Sequence, residues 1–214
     1  MNKLTAITGL SIWLVGMAFA LSAPASAQQA TSTDALLQRL AGITHIQGEF
    51  QQFQYGDNEV LLAESSGFFK LLRPTFFSWE IRSPDQQLVI ANQEFLWHYD
   101  IDLQTVTRRP IAGNVEASPL QVLAGDESVL REQYTVVRDD ADNFTLVPLG
   151  DAQGFKRLAV RFDGSNIVGM DILDKLNQHV KVSFSKLDSS STLSAADFDF
   201  APPQGDVDLF YYDE

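Results

Sequence analysis

Residues 67–82 read GFFKLLRPTFFSWEIR, and this run decides the fold. Phe69, Leu71 and Arg73 alternate with Phe68, Lys70 and Leu72; Phe77, Trp79 and Ile81 alternate with Ser78, Glu80 and Arg82. Strict alternation places each set on one face of a strand. Arg73-Pro74-Thr75 between the two runs is turn chemistry, because proline cannot continue a ladder. The stretch therefore reads as an antiparallel hairpin with one strongly apolar face.

Working outward, the same pattern recurs at short intervals. Strands are predicted over 47–55, 60–72, 76–81, 86–91, 94–99, 103–107, 133–138, 143–148, 156–163, 166–172 and 177–186. The breaks carry turn residues: Gly56-Asp57-Asn58, Ser83-Pro84-Asp85, Ala91-Asn92 and Asp163-Gly164-Ser165-Asn166. Close spacing and tight turns predict one antiparallel meander of about eleven strands. Phe95, Trp97 and Tyr99 alternate with Glu94, Leu96 and His98, so they are expected on the same apolar face as Phe77, Trp79 and Ile81.

Two helices are predicted. Thr31 to Asp34 offers N-caps to a helix whose Leu36, Leu37, Leu40 and Ile43 recur at helical spacing. Ser118-Pro119 opens a second, over 117–131, with Leu120, Val122 and Leu123 on its apolar face, Gly125 as a C-cap and a further turn over 126–131. Two short helices are little material to cover so long a sheet. Either the sheet closes as a filled barrel, or it curves around an apolar space that the helices partly plug.

Arg73 is the sharpest single residue. Its parity points it inward with Phe69 and Leu71, and Pro74 places it at a rim. A guanidinium facing an apolar interior needs acceptors, and the unpaired carbonyls at the end of a covering helix would serve. The alternative is that Arg73 leaves the sheet at the turn and is solvated.

The first 27 residues read as an address. Lys3 precedes a mostly apolar run from Leu4 to Leu21, Pro24 breaks it, and Ala25-Ser26-Ala27 is a small-x-small cleavage site. That is the pattern of a cleaved secretory signal peptide. Its removal leaves 187 residues, 28–214, expected to form one domain. Lys3 is the one charged side chain removed, so the net charge moves from −13 to −14.

Composition excludes several classes. With 28 Asp+Glu against 15 Lys+Arg, nucleic acid and anionic membrane surfaces are disfavoured. Zero Cys excludes disulfides, thiolate metal sites, a Cys nucleophile and a lipidated Cys anchor. There is no phosphate-binding loop, dinucleotide fingerprint or nucleophile elbow. His45, His98 and His179 show no metal-ligand spacing, so neither metal nor cofactor is expected. The best enzymatic constellation is His98 with Asp100 and Asp102, but Asp is ordinary at strand ends. After Lys186 there are seven acidic residues and no basic ones, which reads as a solvated, partly frayed tail.

The order of these blocks resembles the outer-membrane lipoprotein carrier family, LolA. The resemblance rests on Gln47-Gly48-x-Phe50-x-Gln52, on the 67–81 run followed by Ser83-Pro84-Asp85, and on Leu96-Trp97-x-Tyr99-Asp100. Ser118-Pro119-Leu120 and the Phe198-x-Phe200-x-Pro202-Pro203 ending agree, so it spans the whole mature chain. The resemblance implies a mainly β fold: a single unclosed antiparallel β-barrel enclosing an apolar cavity under a helical lid. It implies a periplasmic, monomeric, non-enzymatic carrier. Such a carrier takes triacylated lipoproteins from an ABC-type release complex in the inner membrane. It passes them to a LolB-like acceptor lipoprotein in the outer membrane. It assigns Arg73 as the lid latch. Phe50, Phe69, Leu71, Phe77, Trp79, Ile81, Phe95, Trp97 and Tyr99 become cavity or mouth lining, and Leu36, Leu37, Leu40, Leu120, Val122 and Leu123 the lid. Two rivals stay open: a sensing half-barrel that binds lipid without transfer, and an exported hydrolase dependent on His98 or Asp100.

Overall fold

The structure, a computed structural model, describes residues 25–56, 58–111, 127–150 and 154–212. Leu120, Val122 and Leu123, and the predicted signal segment up to residue 24, lie outside the described residues. The chain begins with α1 (Ala25–Ala41), then β1 (His45–Tyr55), β2 (Leu61–Leu72), β3 (Phe76–Ser83), β4 (Gln87–Ala91), β5 (Phe95–Asp100) and β6 (Thr105–Pro110). A short helix α2 (Glu127–Gln133) leads into β7 (Tyr134–Arg138), β8 (Asn143–Pro148), β9 (Phe155–Asp163), β10 (Asn166–Asp174) and β11 (His179–Asp188). A 3-10 helix (Ala195–Phe198) and β12 (Asp208–Tyr211) follow.

All twelve strands form one sheet, ordered β12-β6-β5-β4-β3-β2-β1-β11-β10-β9-β8-β7. Two meanders meet where β1 pairs with β11, and the sheet is not closed: β12 and β7 are its edges. Every pairing is antiparallel except β12 on β6. The β2–β3 pairing shifts register at Ser66/Gly67, and there the strands approach so closely that a Cβ on Gly67 would lie 1.8 Å from the Glu80 carbonyl oxygen. Only glycine fits that contact.

Side-chain parity sorts the sheet into two faces with two cores. The first core unites Phe50, Phe69, Leu71, Phe77 and Trp79 with Tyr134, Phe144, Leu158, Val160, Met170 and Phe184, under Leu36, Leu40 and Ile43 of α1 and its C-terminal turn. Residues 36, 40 and 43 fall on one helical stripe, which explains how α1 joins this core, together with Leu130 of α2. The second core holds Ile90, Trp97, Val106 and Phe198, with Phe76, Leu88, Phe95, Tyr99 and Phe200 packed against it. It lies on the opposite face of β3–β6, beneath the segment that runs from β11 to β12.

Three expectations are corrected. Phe95, Trp97 and Tyr99 do not share the face of Phe77 and Trp79. Trp79 pairs with Val89, and Val89 with His98, whereas Trp97 pairs with Ile90 and Ile90 with Ser78. Directly paired residues share a face, so the β5 aromatics point outward into the second core. The tail after Lys186 is not frayed: Phe198 is fully buried, Lys70 lies 3.7 Å from Asp197, and β12 is hydrogen-bonded to β6. Helix α1 starts at Ala25 rather than near Thr31. Ala and Gln over 27–30 are good helix formers, and the preceding Pro24 is compatible with a helix start.

Candidate functional site

The concave interior is built from aromatic rings on four neighbouring strands. Phe50 of β1 stacks on Trp79 of β3 with ring centroids 3.6 Å apart. The ring bridges β2, where the residue paired with Phe50 is Gly67. Phe184 of β11 packs 4.7 Å from Phe69 and edge-on to Trp79 at 6.3 Å. Six of the apolar residues assigned to the lining, Phe50, Phe69, Leu71, Phe77, Trp79 and Ile81, are here, though Ile81 is only half-buried. Of the lid residues, Leu36 and Leu40 are buried and Leu37 packs at their side. Phe184 and the second meander's Phe144, Phe162, Ile167 and Met170 are not among the sequence candidates; their alternation along β8–β11 is the signal that could have found them.

Among the described residues, a cavity of about 10 Å³ lies between Ile46, Phe69, Leu71, Phe77, Ile167 and Phe184. That is room for about one water molecule, so at this point of the interior the rings pack against one another.

The lid is tied to the barrel by arginines. Arg39, in the last turn of α1, donates to the carbonyls of Ala141 (2.8 Å) and Gly164 and to the Asp142 carboxylate at 2.5 Å. It thereby joins α1 to the β7–β8 and β9–β10 turns, and a cation there suits the helix C-terminus. Arg131 of α2 lies 2.7 Å from both Asp34 of α1 and Glu127. These contacts hold the guanidinium of Arg131 charged even more firmly than usual, chiefly through its bond to Asp34. Sequence reasoning misses both ties, because the partners that link them to other elements lie about a hundred residues away.

Arg73 sits at the rim where α1 leads into the barrel. Its backbone N–H donates to the Thr44 carbonyl at 2.9 Å, just after α1 ends at Ala41. The side chain is half-buried, and its Nε is buried without a hydrogen-bond partner among the described residues. That burial pushes its pKa below the ordinary arginine value.

The acid–base constellation is a pair of turn caps. Asp102 accepts the Gln86 N–H at 2.7 Å, and Asp100 accepts the Leu103 N–H at 2.9 Å. His98 contacts Gln87 at 3.2 Å. Among the described residues no three His, Asp or Glu side chains gather to hold a metal, and no helix is long and apolar enough to cross a membrane.

The family model described as "Outer membrane lipoprotein carrier protein LolA" matches residues 41–201. The chain belongs to the LolA family. An outer-membrane lipoprotein carrier protein of Coxiella burnetii is 31% identical over 210 residues, covering 96% of this chain and 97% of its relative. One of Neisseria meningitidis is 30% identical over 189 residues, covering 86% and 90%. An uncharacterised conserved protein of Thermus thermophilus superposes with a TM-score of 0.51 at 14% identity, covering 85% of this chain and 99% of that one. That likeness concerns the fold alone. The match begins at the end of α1 and ends before β12, so the LolA pattern takes in β1–β11 and the 3-10 helix.

Proposed function

We propose that this chain is a periplasmic carrier that shields the acyl chains of triacylated lipoproteins inside its concave face. The observation that carries the reading is the large apolar and aromatic cluster of the concave face, joined by Leu36 and Leu40 of α1, in a chain of the LolA family. Buried acyl chains gain about 0.8 kcal/mol per CH₂, so one long chain gains on the order of 10 kcal/mol. That gain is set against the cost of lifting α1 and parting the Phe50–Trp79 stack. Residues 1–27 are removed on export, taking the first three residues of α1, and 28–214 acts as one monomeric domain without a cofactor. An ABC-type complex of the inner membrane supplies the cargo, and a LolB-like lipoprotein of the outer membrane accepts it.

In this reading the arrangement with Phe50, Trp79 and Phe184 packed together is the empty carrier. The more stable it is, the weaker the net hold on cargo, because opening is subtracted from binding. Arg39 and Arg131 hold α1 down, and Arg73 is the rim latch that engages the lid as it closes. A weakened hold lets a tighter acceptor take the cargo with no energy input at that step. Arg73→Leu is expected to load cargo and to pass it on poorly; normal handover in a purified transfer assay contradicts the latch.

The carrier itself is tested by native mass spectrometry of mature protein recovered after co-expression with a triacylated lipoprotein. A one-to-one complex that vanishes when the cargo lacks its acyl chains supports the reading. Recovery of empty protein alone, with release machinery intact, favours a sensing half-barrel.

A further inference from the structure

The two edges of the sheet are protected differently. At one edge, α1 and α2 pack on β7. At the other, among the described residues, nothing pairs with the outer side of β12. The N–H groups of Asp208 and Tyr212 donate to the β6-side carbonyls of Gln104 and Arg108, each at 2.9 Å. Because strand groups alternate in direction, the N–H and C=O of Leu209 and Tyr211 point away from β6 into the open. Leu209, Phe210, Tyr211 and Tyr212 are four consecutive apolar residues, 44–51% exposed. An edge guarded only against aggregation carries polar side chains here; this one offers apolar surface on both faces.

The strand is also held in place. The Arg108 guanidinium lies between the rings of Phe95 (4.4 Å) and Tyr211 (4.2 Å), and Arg109 lies 5.1 Å from the ring of Tyr212. Two cations on β6 thus pin β12 from both faces, which lowers the ordering cost of pairing with it.

We infer that β12 is a docking rail that accepts an extended, basic segment of a partner protein as a thirteenth strand. Charge selects the occupant. Asp206 and Asp208 stand at the start of the rail, Asp213 and Glu214 follow it in the sequence, and no Lys or Arg follows Lys186. Arg108 and Arg109 are the cations beside it, each already over a tyrosine ring. A second copy of this chain would bring the same excess of acids over arginines and the same net negative charge, so self-pairing is disfavoured. A partner segment alternating β-branched residues with Lys or Arg supplies main-chain bonds, apolar contact and opposite charge together. The inference rests on the β12 edge alone and stands apart from what the interior carries.

The test uses the mature chain and a fluorescent nine-residue peptide of sequence KVTVKVTVK, with EVTVEVTVE as control. The basic peptide is expected to bind, the acidic one at least about tenfold more weakly. Binding should slow hydrogen exchange of the Leu209 and Tyr211 amides and leave Asp208 and Tyr212 unchanged. Leu209→Pro deletes an outward N–H while sparing the bonds to β6. It should weaken binding about tenfold, a single main-chain bond, with Tyr212 exchanging as before. If that variant loosens β12, the wild-type exchange pattern still decides. No binding, equal binding of both peptides, protection at other sites, or a peptide-free dimer protecting the same amides would each overturn the inference.

Discussion

Strands β3 and β5 carry nearly the same signature, an aromatic-x-Trp alternation, yet their rings end in different cores. Trp79 faces the concave interior beside Phe50 and Phe184. Trp97 faces the opposite side, 5.3 Å from Phe200 in the C-terminal segment. The difference lies in the parity of the connections through β4, where Val89 shares the face of Trp79 and Ile90 the face of Trp97. Similar local patterns thus build two different cores, one on the concave face beside Phe50 and Phe184 and one on the opposite face beside Phe200 and Phe198.

The comparison breaks most sharply if both tryptophan faces act alike. Phe198→Ala removes a fully buried ring and should lose about 3–5 kcal/mol in urea unfolding, as should Trp79→Ala. Only Trp79→Ala is expected to alter cargo retention, read by native mass spectrometry under conditions where both remain folded. A smaller effect tests the lid. Arg39→Ala, which cuts α1 from Ala141, Asp142 and Gly164, should lose about 1–2 kcal/mol and speed amide exchange in α1 but not in β3–β6. Smaller still, Tyr211→Ala should lose about 0.5–1 kcal/mol and loosen β12 without touching the interior.

Acid should separate the two faces gently. Asp188 opens the outer segment and is held well below the usual carboxylate range, first by the Ser191 hydroxyl, then by Ser190 and Gln47. Asp197 is lowered by the backbone N–H and hydroxyl of Ser194. A carboxylate with a folded pKa below its unfolded value of about 4 stabilises above that value. The contribution is lost as pH falls through the folded values. Emission from Trp97 should therefore change before that from Trp79 in an acid titration, and Asp188→Asn with Asp197→Asn should abolish the lag.

Most strands are legible because each meander is local: turn residues and period-2 runs locate β1–β11 to within about three residues at either end. The rest is hidden for identifiable reasons. Strand β12 pairs in parallel with β6, about a hundred residues earlier, so no hairpin turn announces it, and its acidic flanks read as solvated. The outward direction of Phe95, Trp97 and Tyr99 depends on how many residues each turn absorbs. Arg39 escapes notice because its acceptors, the Ala141 and Gly164 carbonyls, leave no mark in the sequence. Arg73 is legible as a rim residue from Pro74 and from its parity alone, and the structure places it beside the end of α1.

The most direct test of the central claim, that the concave face alone meets the acyl chains, is photo-crosslinking. A photoreactive phenylalanine analogue replaces Phe184 in one variant and Tyr99 in another, each loaded with a lipoprotein labelled in its acyl chains. The account predicts label transferred to the Phe184 variant and none to the Tyr99 variant. Transfer to Tyr99, or to both alike, would contradict it.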